Sequence, residues 1–135
     1  MFRILLVEDD PDVLLLFQEV LVDAGYQVDT AATYREASNL LVLREYDLLL
    51  SDGRLPDGSG IMLADIAKPR RIPALIVTGY VVWLLERHPK LDINAYKVLR
   101  KPVTPRVLLA KVGGAIDARI PVLGFERLRQ CIASE

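Results

Sequence analysis

The sequence predicts an α/β protein built on a parallel sheet, because short apolar runs alternate with helical patterns along its 135 residues. The apolar runs are nearly continuous, which is typical of strands buried on both faces. Several of them stop at polar residues, as strands that end at the edge of a sheet do. Hydrophobic residues make up 52% of the chain, which is enough for the core of one ordinary domain.

The first half of the chain contains three predicted strands and two predicted helices. A proline at the first helical position favours a helix start, and a glycine after the last apolar position favours a helix end. The predicted elements are strand Arg3–Val7, a helix that Pro11 opens and Gly25 ends, strand Tyr26–Ala31, helix Thr33–Arg44 and strand Asp47–Ser51.

A loop rich in glycine and proline, residues 53–60, separates the two halves of the chain. The elements predicted after it are helix Ile61–Ala67, strand Ile72–Val77, a helix over residues 80–87, strand Tyr96–Leu99 and helix Pro105–Ala118. Five strand–helix repeats with right-handed crossovers predict a doubly wound, three-layer sandwich. The expected strand order is the flavodoxin-like 2-1-3-4-5.

Composition narrows the classes of protein that the chain can represent. A single cysteine, Cys131, excludes an internal disulfide and a zinc knuckle, and it fits a reducing, cytoplasmic setting. No secretion signal is visible, and the apolar stretch from Ala74 to Leu85 is too short to span a bilayer. Residues 1–67 hold 4 basic and 13 acidic residues, whereas residues 68–135 hold 13 and 5. The basic residues form no run, so we expect no direct binding of nucleic acid.

Polar side chains follow four of the predicted strands at the point where each strand ends. They are Glu8 and Asp9, Asp52, Thr78, and Lys101. Because parallel strands end at the same edge of a sheet, we expect these groups to converge there. Clustered carboxylates repel one another, and a hard cation such as Mg²⁺ relieves that repulsion. A hydroxyl and an ammonium suit a phosphoryl group, and an aspartate can accept one as a nucleophile.

Other polar residues near these strand ends have ordinary structural interpretations. Asp10 before Pro11 is more typical of a helix N-cap than of a metal ligand. Asp57 and Gly58 are typical of a turn. We expect His88, the only histidine, to be exposed and without a functional role.

Four blocks of sequence together resemble the receiver domain of two-component response regulators. The blocks are ILLVEDDP at residues 4–11, DLLLSDGRLPDGSG at 47–60, ALIVTG at 74–79 and RKP at 100–102. Any one block alone would be a weak signal, but their order and spacing are specific. The resemblance covers about residues 2–118, so we expect a receiver domain over residues 1–118 and a C-terminal extension over 119–135, with a short helix.

The resemblance implies a role for each residue at the predicted edge. Asp52 matches the aspartate that accepts a phosphoryl group from a histidine kinase or a histidine phosphotransfer protein. Asp9 matches a direct Mg²⁺ ligand and Glu8 a ligand acting through water, with Asp52 and the backbone carbonyl of Arg54 completing the metal site. Thr78 and Lys101 match the hydroxyl and the lysine that bind the phosphoryl group. Pro102 would follow a peptide bond that is often cis in this family.

The chain departs from the family pattern at Val98, where an aromatic residue is common. We therefore expect activation to depend on repacking around Thr78 and Trp83. The family usually signals through the face of the fourth helix, fifth strand and fifth helix, and an apolar centre with a charged rim suits contact with a downstream protein. In this chain that face carries Arg87, Lys90, Lys97, Arg100, Arg106 and Lys111 around Val81, Trp83, Leu84 and Leu85.

Two other functions remain open from the sequence. A degenerate receiver would act as a docking module without phosphorylation. A phosphatase with an aspartate nucleophile would also use Mg²⁺, threonine and lysine, but it needs a DxD pair where this chain has Glu8-x-Asp10. We expect a regulatory domain and not an enzyme. Because only a short segment follows Ala118, we expect no effector domain within residues 119–135. We expect this segment to pack on the domain, to pair with a second copy in a homodimer, or to be the stub of a longer protein.

Overall fold

The computed structural model describes residues 1–91 and 97–118. The strands are β1 Arg3–Val7, β2 Gln27–Ala31, β3 Leu48–Ser51, β4 Arg54–Leu55, β5 Gly58–Ser59, β6 Ala74–Thr78 and β7 Val98–Arg100. The helices are α1 Pro11–Asp23, α2 Tyr34–Leu43, α3 Gly60–Ala67 and α4 Val81–Arg87, with a 3₁₀ turn at Lys68–Arg70. A fifth helix, α5, runs over residues 105–118, up to the last residue that the structure describes.

The main sheet has five parallel strands in the order β2-β1-β3-β6-β7. This is the predicted order 2-1-3-4-5, renumbered because a small hairpin lies between the third and fourth strands of the sheet. In the hairpin, Arg54 pairs with Ser59 and Leu55 with Gly58. The predicted α/β fold class is confirmed. The prediction that residues 53–60 form only a loop is wrong, because they contain this hairpin.

Alternate residues of the central strands face opposite layers of helices. Ile4 and Leu6 of β1 pack with α1 and α5, whereas Leu5 and Val7 pack with α2 and α3. Each of these four side chains is essentially inaccessible to solvent. This period-two alternation, with both faces covered, explains why the strands read as continuous apolar runs.

Two apolar residues differ in burial from what the sequence predicts. The sequence predicts Leu84 in the apolar centre of the signalling face, but it is fully buried in a small cluster with Ile61 and Ile76. The helical spacing of the chain predicts an apolar stripe on α1 formed by Val13, Leu16, Phe17, Val20 and Leu21. Leu16 is instead 49% exposed, and Leu14 packs on the core. Consecutive leucines in α1 leave the phase of the helix open, and packing against the sheet selects it.

Two sequence predictions fall partly or wholly outside the described residues. They are the beginning of the fifth main-sheet strand at Tyr96 and the helix expected within residues 119–135. Within residues 1–91 and 97–118, no helix combines the length and the apolar character that a membrane crossing requires.

Candidate functional site

Two backbone hydrogen bonds extend the sheet by one residue and hold two acidic side chains at its edge. The N–H of Glu8 donates to the carbonyl of Ala31 at 3.0 Å, and the N–H of Asp52 donates to the carbonyl of Val7 at 2.9 Å. Because β1 and β3 are neighbours in the sheet, Glu8 and Asp52 leave adjacent strands side by side. Their position therefore follows from strand pairing.

Three carboxylates and one ammonium meet at this edge. Carboxylate oxygens of Glu8, Asp9 and Asp52 lie within 4.8 Å of one another. Lys101 Nζ lies 3.0 Å from Glu8 Oε2 and 3.0 Å from Asp52 Oδ2. Glu8 and Asp52 are 3% and 5% exposed. The ammonium of Lys101 forms ion pairs with two buried carboxylates. The other carboxylate oxygens of the cluster are the kind of ligand that a hard divalent cation prefers.

The surroundings of these groups shift their protonation equilibria. Burial raises the pKa of Glu8 from 4.5 to about 7; the negative charge of Asp52 acts in the same direction, and Lys101 opposes both. Burial by itself would lower the pKa of Lys101, but hydrogen bonds to Asp52 and Glu8 and their charges raise it above its usual value. The site therefore holds its lysine charged and takes up a proton on Glu8 near neutral pH.

The other two members of the acidic run Glu8–Asp10 are exposed, and they differ in their contacts. Asp10 is the N-cap of α1, because its Oδ1 accepts from the N–H groups of Asp12 at 2.9 Å and Val13 at 3.4 Å. The N-cap interpretation of Asp10 is confirmed. Asp9 is exposed, but it shares the carboxylate cluster with Glu8 and Asp52.

Thr78 ends β6 directly behind the loop that carries Asp52. Its side chain is fully buried, and its Oγ1 accepts a hydrogen bond from the N–H of Tyr80 at 3.0 Å. A Cβ at Gly53 would lie 2.9 Å from Thr78 Cβ, so only glycine allows this loop to approach β6 so closely. Thr78 thus lies against the residue that follows Asp52, without lining the cavity in front of Asp52.

A cavity of about 740 Å³ opens in front of the carboxylates. It is lined by Glu8, Asp9, Asp10, Val13, Asp52, Arg54, Leu55, Pro56, Gly79, Tyr80 and Lys101. The backbone N–H of Arg54 donates to Asp52 Oδ1 at 3.2 Å. The peptide bond between Lys101 and Pro102 is cis, as the resemblance implied.

Two contacts near the site do not follow from the sequence patterns. The Asp57 carboxylate accepts from the N–H groups of Tyr34 at 2.7 Å and Arg35 at 3.0 Å. It therefore provides hydrogen-bond acceptors for the first turn of α2, in addition to its place in the hairpin turn. His88 is partly buried, and its Nε2 lies 2.9 Å from Ser59 Oγ; the expectation that it is exposed is wrong. Both contacts join segments more than 20 residues apart, where no local signal exists.

Curated relatives match most of the chain. Response regulator protein PilR from Pseudomonas aeruginosa is 33% identical over 121 residues, covering 88% of this chain and 27% of PilR. Probable transcriptional regulator ycf29 from Pyropia yezoensis is 31% identical over 119 residues, covering 85% of this chain and 53% of ycf29. The chain therefore spans about a quarter to a half of the length of these relatives.

Solved structures with the same architecture include a CheY-like response regulator receiver domain protein from Methanospirillum hungatei. It has a TM-score of 0.76 and 31% identity, covering 90% of this chain and 98% of that one. Response regulator protein TrrA from Thermotoga maritima, in complex with Mg²⁺–BeF, has a TM-score of 0.73 and 29% identity, covering 85% and 99%. The family profile of the response regulator receiver domain matches residues 4–113. This chain belongs to the response regulator receiver family of two-component signalling.

Proposed function

We propose that Asp52 accepts a phosphoryl group from a histidine kinase or a histidine phosphotransfer protein and that this event regulates binding of a partner protein. The observation that carries the proposal is the position of Lys101 Nζ, 3.0 Å from Asp52 Oδ2, inside a cluster of three carboxylates. A carboxylate held beside an ammonium and open to a cavity can attack phosphorus while the developing charge on the phosphoryl oxygens is neutralised.

The oxygen donors of the site fit Mg²⁺. Asp9 and Asp52 would hold the ion directly, Glu8 through water, and the backbone carbonyl of Arg54 would complete the protein ligands. A bound Mg²⁺ supplies positive charge to the phosphoryl oxygens. The complex of TrrA with Mg²⁺–BeF supports this proposal.

The transfer is balanced by one bond made and one bond broken. An Asp52 carboxylate oxygen forms a bond to phosphorus while the bond from phosphorus to the donor histidine nitrogen breaks, and that nitrogen keeps the electron pair. Lys101 donates to the phosphoryl oxygens. The Thr78 hydroxyl, which accepts from Tyr80, retains its own proton to donate to them. Later attack of water on phosphorus restores the Asp52 carboxylate and releases phosphate.

The proposed output is a change in the surface formed by α4, β7 and α5, which would bind a downstream protein or a second copy of the chain. On α4, Val82 is 68% exposed and Leu85 is 37% exposed. The neighbouring basic residues Arg87, Lys97 and Arg100 are exposed. An apolar centre beside positive charge suits a protein partner that carries acidic residues. The cytoplasm is the proposed location.

Phosphorylation by a small phosphodonor tests the proposal directly. Wild-type protein incubated with labelled acetyl phosphate and Mg²⁺ should acquire acid-stable, base-labile label at one site, and Asp52→Asn should acquire none. Asp23→Asn, the same chemical change at the exposed end of α1, should label as the wild type does. Label that persists on Asp52→Asn, or a wild type that takes up none, would overturn the proposal; the second result would favour the docking module.

The contacts of Asp10 argue against the alternative function as a phosphatase with an aspartate nucleophile. The Asp10 carboxylate is used to cap α1, so Glu8 and Asp10 do not form the pair of acidic groups that such an enzyme needs. Release of phosphate from a generic phosphomonoester by the wild type, absent in Asp52→Asn, would reverse this conclusion.

A further inference from the structure

The guanidinium of Arg54 lies among aromatic rings at the mouth of the Asp52 cavity. Its Cζ is 4.7 Å from the centre of the Tyr80 ring and 5.7 Å from that of the Trp83 ring. Both distances are within the range of cation–π interactions. Trp83 belongs to α4, so one side chain connects the hairpin that follows Asp52 to the fourth helix.

Arg54 is also a cation that the carboxylate cluster has not engaged. Lys101 is already bonded to both Glu8 and Asp52. Within residues 1–91 and 97–118, Arg54 forms no ion pair, although it lines the same cavity as these groups. Its positive charge is therefore held next to the site by rings instead of by carboxylates.

We propose that Arg54 binds the phosphoryl group on Asp52 and, by leaving Tyr80 and Trp83 to do so, transmits phosphorylation to α4. This inference rests on the proposed function of Asp52. It gives Arg54 a role through its side chain that is separate from the role proposed for its backbone carbonyl. Arg54 binds the phosphoryl group after the transfer and signals its presence, and Asp52 remains the group that reacts.

The charge of the site gives a reason why Arg54 would leave the two rings for the phosphoryl group. Three carboxylates are balanced in formal charge by Lys101 and one divalent cation. Phosphorylation replaces the single negative charge of Asp52 by a group that carries up to two, so the balance is lost. A guanidinium forms two parallel hydrogen bonds to phosphoryl oxygens, and these are stronger than its contact with an exposed ring. Tyr80 is 51% exposed, which keeps its hold on Arg54 weak.

The packing of Trp83 shows how the exchange reaches the rest of α4. Trp83 packs on the small cluster formed by Ile61, Ile76 and Leu84, and Val98 packs on the same cluster. An aliphatic Val98 has no ring that could turn inward. Release of Trp83 by Arg54 would change the packing of Trp83 on this cluster without a ring at position 98, so the departure at Val98 is compatible with a working signal.

A second arginine provides a matched control. Arg87 Cζ lies 5.3 Å from the centre of the Trp83 ring, but Arg87 does not line the Asp52 cavity. Trp83 is the only tryptophan of the chain, so its fluorescence reports on both arginines without a label. Arg54→Met and Arg87→Met each remove one cation from the same ring, and only the first removes a cation from the cavity.

Binding of beryllofluoride with Mg²⁺ tests the inference on the intact chain. Isothermal titration should show that Arg54→Met binds beryllofluoride about 10-fold to 100-fold more weakly than the wild type, as expected for a lost hydrogen bond between charged groups. The change in Trp83 emission on binding should disappear in this variant. Arg87→Met should change the emission of the free protein, keep the wild-type affinity and still respond to the ligand.

The possible failures are distinguishable. A wild type that binds no beryllofluoride overturns the proposed function and this inference with it. A wild type that binds, together with an Arg54→Met variant of equal affinity, overturns the inference alone. A Trp83 response that survives in Arg54→Met at saturating ligand shows that Arg54 does not transmit the signal.

Discussion

The hydroxyl of Thr78 accepts a hydrogen bond from the backbone N–H of Tyr80 at 3.0 Å. Thr78 is fully buried against Gly53, and Tyr80 is half exposed beneath Arg54. The short turn between the two residues thus connects the interior side of the Asp52 loop to a ring at the mouth of the cavity. Rotation of the Thr78 side chain away from this position would break its hydrogen bond to the backbone of Tyr80.

The response of Trp83 to a phosphoryl mimic should depend on Thr78 and hardly on Val98. Thr78→Ala removes both the acceptor for Tyr80 and the hydroxyl proposed to bind the phosphoryl group, so most of the fluorescence change on adding Mg²⁺ and beryllofluoride should be lost. Val98→Ala removes only part of an aliphatic contact with the cluster around Leu84. Thr78→Ser keeps the hydroxyl and should restore the response. A Val98→Ala variant as silent as Thr78→Ala would show that position 98 carries the switch.

Binding of Mg²⁺ should weaken as the pH falls below about 7, because the pKa of Glu8 is raised from 4.5 to about 7. The ion requires the deprotonated carboxylate, so the apparent Kd should rise by up to about tenfold for each pH unit below that value. Calorimetric titration in buffers of different ionisation enthalpy would measure the proton that is released. Glu8→Gln should bind Mg²⁺ more weakly and without this pH step. An affinity of the wild type that stays constant through neutral pH would contradict the prediction.

The same pKa predicts how the stability of the metal-free chain depends on pH. A folded-state pKa above the unfolded value of 4.5 means that the folded protein holds the proton more tightly. The stabilisation by Glu8 is therefore fully present below pH 4.5 and is lost as the pH rises through about 7. Comparing urea denaturation of the wild type and of Glu8→Gln across this range isolates the contribution, since the variant lacks the titrating group.

Asp57→Ala should lower the free energy of unfolding by about 1–2 kcal/mol, because two N–H groups of the first turn of α2 lose a charged acceptor. Urea denaturation at neutral pH measures this loss. Asp23→Ala removes an exposed carboxylate near the C-terminal end of α1, where a negative charge is unfavourable, and should cost nothing. Equal stability of Asp57→Ala and the wild type would show that the contact between the hairpin and α2 is not stabilising.

The sequence by itself determined the features that depend on neighbouring residues. Continuous apolar runs specify strands buried on both faces, and in a parallel sheet such strands must end at one edge. That is why Glu8, Asp9, Asp52 and Lys101 could be expected together before any distance was known. The cap at Asp10 is equally local, since its partners are two and three residues away.

Only the tertiary structure decided which side chains touch and how strongly they are buried. Lys101 meets Glu8 across 93 positions of the chain, Asp57 reaches α2 across 23, and His88 reaches Ser59 across 29. The pKa of Glu8 depends on burial that no local pattern encodes. The contact of Arg54 with Tyr80 and Trp83 likewise exists because the hairpin lies next to α4 and the residue that precedes it. Periodicity sets the face and end of each element, whereas these contacts depend on how complete elements pack.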